Sequence, residues 1–553
     1  MQNSLTWDYV FPGLPAGCSI EWGMAKGYRP VVRDQPFLFP PDMRDWLPAG
    51  HAVWLVIEAV RRLDTRAFHA RRKTGGAGTA GYDPDMMVTL LVWAYANGIT
   101  SSRRIERLCQ QDVAFRVICA GHLPDHVTIA RFRQQFAETA ASLFAQVLLL
   151  CAQLGMGQAG VVALDGTKVA GNASKDANRT EEGLRKLARE MAAAHSEADA
   201  AEDALFGEGR RGDDDPGDPF TRGERVAAAL ASLQAEREAR EAEERAKAEE
   251  QLRAARAGAP VRGRPATGAG AELARADLAR AEAAARARRE EWEQAAAGGR
   301  RPPGRAPARP DESGKVRAAR ARLERALAAQ AGREAARQAA AAARQEPKRN
   351  VTDPASRLMP TRGGGFTQGY NAQNVTSEDG LVIATRLTQD TTDTPWYEPM
   401  TSQAAAAAAV MAAAGGPGDG TIGLVLADAG YLSGDNLACP GPDRLIATGK
   451  RRALEQAARA GDAGATAGQQ APAIAAMTAR LATQDGITAY RRRSHIGETF
   501  HGDLKHNQQF RRLSVRGLPR ASGEWTFATA VRNLRKAITS GHLTQQALAA
   551  LPG

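Results

Sequence analysis

Three acidic residues are placed where they can do chemistry together: Asp165 closes the apolar run VVAL, Asp428 closes GLVLA, and Glu498 lies in RRRSHIGETFHGDLKHNQQF. Carboxylate oxygens are hard ligands that gather Mg2+ or Mn2+. Two such ions roughly 4 Å apart can activate an attacking oxygen and stabilise a leaving one at a phosphodiester. The end of a strand suits such a ligand, because the sheet holds the backbone while the side chain projects at its edge. Either aspartate alone reads equally well as a turn former, in D-G or in D-A-G. Their matching contexts, with a third acid downstream, favour the metal-binding reading.

The third acid must be chosen among Glu498, Asp503 and, further on, Glu524. On an ideal helix Lys505 lies about 20° around the axis from Glu498 and roughly 10 Å along it, whereas Asp503 is turned about 140° away. Glu498 and Lys505 then share one face, a carboxylate beside a cation suited to a phosphate, with Phe500 and Leu504 anchoring the other side. From Tyr490 to Ser540, Lys and Arg outnumber Asp and Glu eleven to three. Such a surface neutralises phosphates and makes binding salt-dependent, although a solvated basic helix face has the same composition.

These residues need a scaffold. VVALDG reads as a buried strand and its turn, GYNAQNVT and GLVIATRLTQD as a hairpin turning near Ser377 to Gly380, and TIGLVLADAGY and DRLIATGK as two further strands. A helix is predicted from Glu398 to about Ala413, and, after an Ala/Gly-rich stretch at about 451–487, another from Ser494 to Arg512. The order is strand with Asp, two strands, helix, strand with Asp, strand, helix with Glu: an α/β core with a mixed sheet.

Ahead of this core, HAVWLVIEAVRRLD, DPDMMVTLLVWAYANG and SSRRIERLCQQDVAFRVIC read as helices. Ile129, Phe132, Phe136, Ala140, Leu143, Phe144, Val147 and Leu148 fall at steps of three and four and predict one long helix, capped by Asp125 and Thr128. The resulting division is an irregular arm at 1–35, a helical block at 36–157, a core split into 158–180 and 347–540, an Ala/Arg/Glu-rich helical insertion at 181–346, and a tail at 541–553. The insertion has strong helix propensity, but many heptad positions are Ala, so it reads either as a coiled-coil arm or as a solvated helical spacer.

The 553 residues carry 73 Lys and Arg against 62 Asp and Glu, a net +11, which suits a polyanionic partner. Cys18, Cys109, Cys119, Cys151 and Cys439 form no C-x-x-C pair, as expected of a reduced cytosolic protein without structural zinc. The amino terminus lacks a signal-peptide pattern, and the apolar run ASLFAQVLLLCAQL is read as too short to span a bilayer.

In their shared order, DQPFLFPPDMRDWLP, DHVTIARFRQQF, ALDGTKVAGNASKDANRT, TDPASRLM, GYNAQ, LADAGY and ETFHGDLKHNQQFRRLSVRGL with GEWTFATAVRNL resemble the bacterial insertion-sequence transposases with an amino-terminal helical domain and a ribonuclease-H-like DDE catalytic domain. The resemblance spans about residues 33–540. It implies that Asp165, Asp428 and Glu498 are the metal ligands, that Lys505 is the signature lysine after the catalytic Glu, and that Tyr490 and Arg493 are its upstream partners. It further implies two Mg2+ ions (or Mn2+) per site, cleavage by activated water and attack of a 3′ hydroxyl on target DNA. The partners implied are double-stranded DNA, as terminal inverted repeats and target, and further copies of the chain, in a dimer or larger assembly. The expected location is the bacterial cytoplasm, at the nucleoid when bound to DNA, with no membrane association. DNA contacts are expected from Arg511, Arg512 and Arg516, from Lys168 (with Asn172 and Lys175 nearby), and from Arg131 and Arg133 in a helix-turn-helix-like pair; a helical bundle that only packs on the core is the alternative for that pair. Competing readings of the whole chain are a nuclease without a joining step, an inactive DNA-binding derivative, and a structural coiled-coil protein, which accounts for the insertion alone.

Overall fold

A computed structural model describes residues 42–70, 81–191, 222–259, 261, 265–266, 269–297, 305–341, 347–361, 364–449, 455–456 and 472–551; the arm expected at 1–35 lies outside them. The chain divides into two units, Met1–Ala49 and Gly50–Gly553. In the first, Asp42 caps the 3-10 turn Met43–Trp46 by accepting from the Arg44 N–H.

The second unit begins with helices α1 (Ala52–Arg61), α2 (Pro84–Ala96), α3 (Ser102–Gln111), α4 (Val113–Ile118), α5 (His126–Gln134) and α6 (Phe136–Gln153). The long helix expected from the apolar stripe is thus two helices, broken at Gln135, and Asp125 alone caps the first, accepting from Val127 and Thr128 N–H. All eight residues of the stripe are buried nonetheless. The first helix packs on α3 and the second on α14, so each buries its share of the stripe.

The sheet is mixed. Its strands are β1 (Val161–Ala170), β2 (Arg357–Thr361), β3 (Gly365–Ser377), β4 (Val382–Thr388), β5 (Leu424–Ala427) and β6 (Asp443–Ile446), in the order β2-β3-β1-β5-β6 with β4 also pairing β3. β1 runs antiparallel to β3 and parallel to β5, and β5 parallel to β6. The β3–β4 hairpin turns where expected, with Gly380 at φ 86°.

Between β1 and β2 the chain leaves and returns through a neck in which Asn178–Arg179 pairs antiparallel with Arg349–Asn350. Beyond the neck stand α7 (Arg222–Arg256), α8 (Ala269–Ala297) and α9 (Gly314–Ala341), with α8 packed on both others. The first turns of α7 are anchored in an apolar cluster, Val226, Ala229 and Leu233 against Leu184. The insertion's helices rest on propensity and small-residue contacts.

α10 (Tyr397–Ala413) packs on β1, β3 and β4. α11 (Pro472–Leu481), which falls within the Ala/Gly-rich stretch, and α12 (Gln484–Arg493) cover β6 and β5. The helix expected from Ser494 to Arg512 ends at Asn507 and is irregular: π turns Ser494–Glu498 and Asp503–Asn507 flank a short α13 (Thr499–Gly502). α14 (Leu518–Thr539) carries the central aromatic core, with Phe527 stacked on Phe136 of α6 at 4.0 Å and Trp525 edge-on to Phe500 of α13. Gly523 allows this approach, since a Cβ there would stand 2.4 Å from the Phe136 carbonyl group. α6 is long and apolar enough to cross a membrane by composition, yet in this fold its apolar residues are packed against α14.

Candidate active site

Asp165 is not at the end of its strand, as expected, but in its middle. What ends there is the pairing with β5: the parallel ladder stops at Leu164–Ala427, and Asp428 is the first residue beyond β5. On its other side β1 continues against β3, with Asp165 opposite Asn374. Both aspartates therefore sit at the same level, at the carboxyl edge of the parallel pair, where the sheet opens. Asp428 also makes the turn that its D-A-G context suggests, accepting from the Gly430 N–H at 2.9 Å.

Glu498 reaches this edge through the first π turn, which lies on β1: a Cβ added to Gly497 would be 3.4 Å from the Ala163 Cβ and 3.6 Å from the Asp165 Cβ. Any residue with a longer side chain there presses on the strand. π turns often mark functional positions because they re-aim side chains within a helix.

Arg493 ties the acids together. Its Nη1 is 3.6 Å from Asp165 Oδ1 and its Nη2 donates to Glu498 Oε1 at 3.0 Å. The guanidinium lies 5.9 Å from the Tyr490 ring centre, and the Tyr490 hydroxyl donates to the Ala427 carbonyl at 3.2 Å, fixing α12 to the end of β5. Burial works against charge on Arg493, but Tyr490, Asp165, Asp428 and Glu498 together hold its pKa above the ordinary value. On Asp165's other oxygen, His501 Nε2 stands at 3.4 Å. Asp165 is 4% exposed, whereas the Glu498 side chain is 51% exposed. A cavity of about 290 Å3 opens beside them, lined by Asp428, Tyr490, Arg493, Ser494 and Glu498 among others.

The donor chemistry of this edge is all carboxylate oxygen, which suits a hard divalent ion. In the present arrangement the shared cation is Arg493, and among the described residues no three acidic, His or Cys side chains are gathered tightly enough to form a metal centre. The ligand types fit such an ion, and Glu498 is the exposed member of the three acids.

The other two candidate acids are structural. Asp503 pairs with Arg532 at 3.2 Å and Arg535 at 2.6 Å on α14. Glu524, 1% exposed, accepts from the Tyr95 hydroxyl at 2.6 Å and the Ser514 N–H at 2.7 Å. Lys505 does lie near the site, its ammonium on the Thr167 hydroxyl, two residues along β1 from Asp165. Because of the π turns this placement is not the simple helical register expected.

The basic residues separate into two groups. Arg511, Arg512 and Arg516 are exposed, each with its Nε on a backbone carbonyl: those of Lys505, Gly171 and Asn172 respectively. Arg131 is exposed as well. Arg133 is 5% exposed and spans Ser514 and Ser102 through its two terminal nitrogens, so it holds α5 against α3 and the strap that precedes α14. Lys168 points to the Thr391 carbonyl at 3.1 Å and to Asp393 at 3.4 Å.

Two residues were missed from sequence. His501 gave no signal beyond its closeness to Glu498. Asp393, in TTDT before α10, looks like a helix cap, but its Oδ1 accepts from Asn371 and Gln373, both at 2.7 Å, and a Cβ on Gly430 would lie 3.1 Å from its Oδ2. Gln373 in turn accepts from the buried Tyr431 hydroxyl. Asp393 thus buttresses the Asp428 turn from the face of the sheet opposite Asp165, a relation created by β1–β3 pairing that no local pattern reveals.

Residues 41–135 match the family described as "Transposase domain (DUF772)", and residues 461–538 match "Transposase DDE domain". No curated protein and no solved structure matches the chain. The first match covers α1 to α5 and the second carries Tyr490, Arg493, Glu498 and Lys505, and the two together support an insertion-sequence DDE transposase.

Proposed function

We propose that the protein cleaves DNA at the ends of its element and joins the freed 3′ hydroxyl to target DNA, with Asp165, Asp428 and Glu498 as the metal ligands. The carrying observation is that acids from three separate segments face one guanidinium, that of Arg493. DDE transposases generally use divalent metal ions, and these three side chains would hold them, Mg2+ or Mn2+ and two per site. When bound, such ions activate water and stabilise the leaving oxygen in an in-line displacement. The order β4-β3-β1-β5-β6, with the first three strands antiparallel and the last two parallel to β1, supports a ribonuclease-H-like core.

The chain's own residues supply the rest. Arg493 bridges Asp165 and Glu498, Tyr490 anchors Arg493, and Asp393 braces the Asp428 turn. Lys505 and the exposed arginines after it neutralise DNA phosphates. The assembly on DNA is a homodimer or larger, and the insertion's helices are the surface for that association.

The test is cleavage and strand transfer on duplexes carrying the element's terminal repeats. Asp165→Asn, Asp428→Asn and Glu498→Gln should each lower cleavage at least about 1,000-fold while binding persists, and EDTA should abolish it until Mg2+ or Mn2+ is restored. Cleavage without joined product from pre-cut ends would make the protein a nuclease, and cleavage unchanged by all three substitutions would remove the triad.

A further inference from the structure

A second cavity, about 1,090 Å3, lies where three parts of the fold meet: the helical block, the first helix of the insertion and the strap between the second π turn and α14. Arg103, Arg133, Arg225, Arg512, Arg516 and Arg520 line it, and among the described residues the single acid on its wall is Asp353. Asp353 is fully buried and turned to the Tyr370 hydroxyl at 2.8 Å and the Gly517 N–H at 3.1 Å. Among the described residues neither Arg103 nor Arg520 has an ion-pair partner. Behind the wall the buried Glu524 offsets Arg133 at 3.9 Å, and the remaining arginines leave the cavity an excess of positive charge.

Two helices begin at this cavity, α3 behind Ser101 and α14 behind Gly517, and neither has a side-chain cap. Uncapped N–H groups at a helix start favour an anion. An independent observation points the same way: Arg133, at the floor, is 95% buried by its 5% exposure and its Nε–H has no acceptor. An unsatisfied buried donor on a cation, in a cleft rimmed by arginines, calls for an oxygen-rich anionic ligand.

The cleft is connected to the catalytic edge. From Glu498 the chain passes Lys505 at Thr167, then pairs Arg512 with Ala170, where the Leu513 N–H donates to the Ala170 carbonyl. Ala170 is five residues along β1 from Asp165, about 16 Å at 3.3 Å per residue. That is about five steps of a duplex at 3.4 Å per base pair.

We propose that this cleft holds the phosphodiester backbone of the duplex about five base pairs from the scissile bond, clamped between the helical block and α7, so that the insertion contributes Arg225 to DNA binding. This deepens, and rests on, the transposase reading above. Its ligand chemistry is phosphate, and duplex DNA is the source favoured by the cations leading from the triad.

The experiment measures binding of the full-length protein, in its cleavage-deficient Asp165→Asn form, to a labelled duplex across a range of salt. Removing three phosphate contacts in Arg103→Ala/Arg225→Ala/Arg520→Ala should reduce the slope of log K against log salt by about three and weaken binding at least about tenfold. The charge-retaining Arg→Lys triple should keep the parental slope, which separates lost contacts from lost fold. A slope unchanged in the alanine triple would overturn the proposal. So would displacement of the duplex by inorganic phosphate at matched ionic strength in the parent but not in the triple, which would make the cleft a site for free phosphate. Cleavage by the protein with Asp165 intact is scored separately: loss of that activity's dependence on Asp165 would refute the function, not the cleft.

Discussion

Replacing Glu524 with Ala should unlock the helical block from the catalytic core. The carboxylate is 1% exposed and accepts from the Tyr95 hydroxyl at 2.6 Å, the Ser514 N–H at 2.7 Å, the Ser514 hydroxyl at 2.5 Å and the Val515 N–H at 3.3 Å, with the Arg133 guanidinium at 3.9 Å. Truncation leaves those donors without their acceptor and a buried cation without its counter-ion, a loss of about 3–5 kcal/mol. At about 1.4 kcal/mol per decade, 4 kcal/mol accelerates local opening by roughly three orders of magnitude. Hydrogen exchange of peptides from α2 and α14, followed by mass spectrometry, reads this directly. Glu524→Gln keeps an acceptor without the charge and should accelerate exchange by about one order. Acceleration below tenfold in both helices of Glu524→Ala would refute the idea that this buried carboxylate joins the two parts. Folded Glu524→Gln should also retain DNA cleavage, which Glu498→Gln should not.

Asp503→Asn should cost about 3 kcal/mol in unfolding, because Arg532 is left buried without its partner. Burial raises the Asp503 pKa, but the Asn507 hydrogen bond and the charges of Arg532 and Arg535 outweigh it, so the folded value lies below the ordinary one. Its stabilisation is therefore complete above about pH 3.9 and is lost as pH falls through the lower folded value; the Asn variant should show a flatter acid limb in thermal unfolding. Gly523→Ala should destabilise by about 3 kcal/mol, since the added methyl meets the Phe136 backbone and cannot be accommodated by a rotamer change; an unchanged melting temperature would contradict the α6–α14 approach. Asp393→Asn should lower the cleavage rate about 10–100-fold and raise the metal concentration needed for half-maximal activity, with DNA affinity unchanged; an equal loss of affinity would place Asp393 in DNA contact instead.

Much of the fold was legible because it is written in local pattern. The order of β1, β3, β4, α10, β5 and β6 and the β3–β4 turn follow from periodicity and turn residues, and the insertion's helicity follows from propensity, whereas β2, α11 and α12 were not expected. The pairing of Asp165 with Asp428 was legible too, as two apolar runs that each close on an aspartate. The break at Gln135 was not legible because both pieces bury apolar residues, one against α3 and the other against α14, so the apolar stripe runs on without interruption.

Three matters were decided only by tertiary structure. Glu498, Asp503 and Glu524 are chemically alike in sequence; what separates them is that two meet buried cations or donors on distant elements while Glu498 meets Arg493 beside Asp165. Two π turns alter the helical register on which Glu498 and Lys505 were expected to share a face. The arginines of the basic segment were likewise indistinguishable until packing sent Arg532 into the core and left Arg512 and Arg516 exposed along β1. Asp393 and the arginine cleft depend on segments brought together across the sheet and the neck of the insertion. Sequence specifies which groups are available; burial and partners, which are set by contacts remote in the chain, decide what each group does.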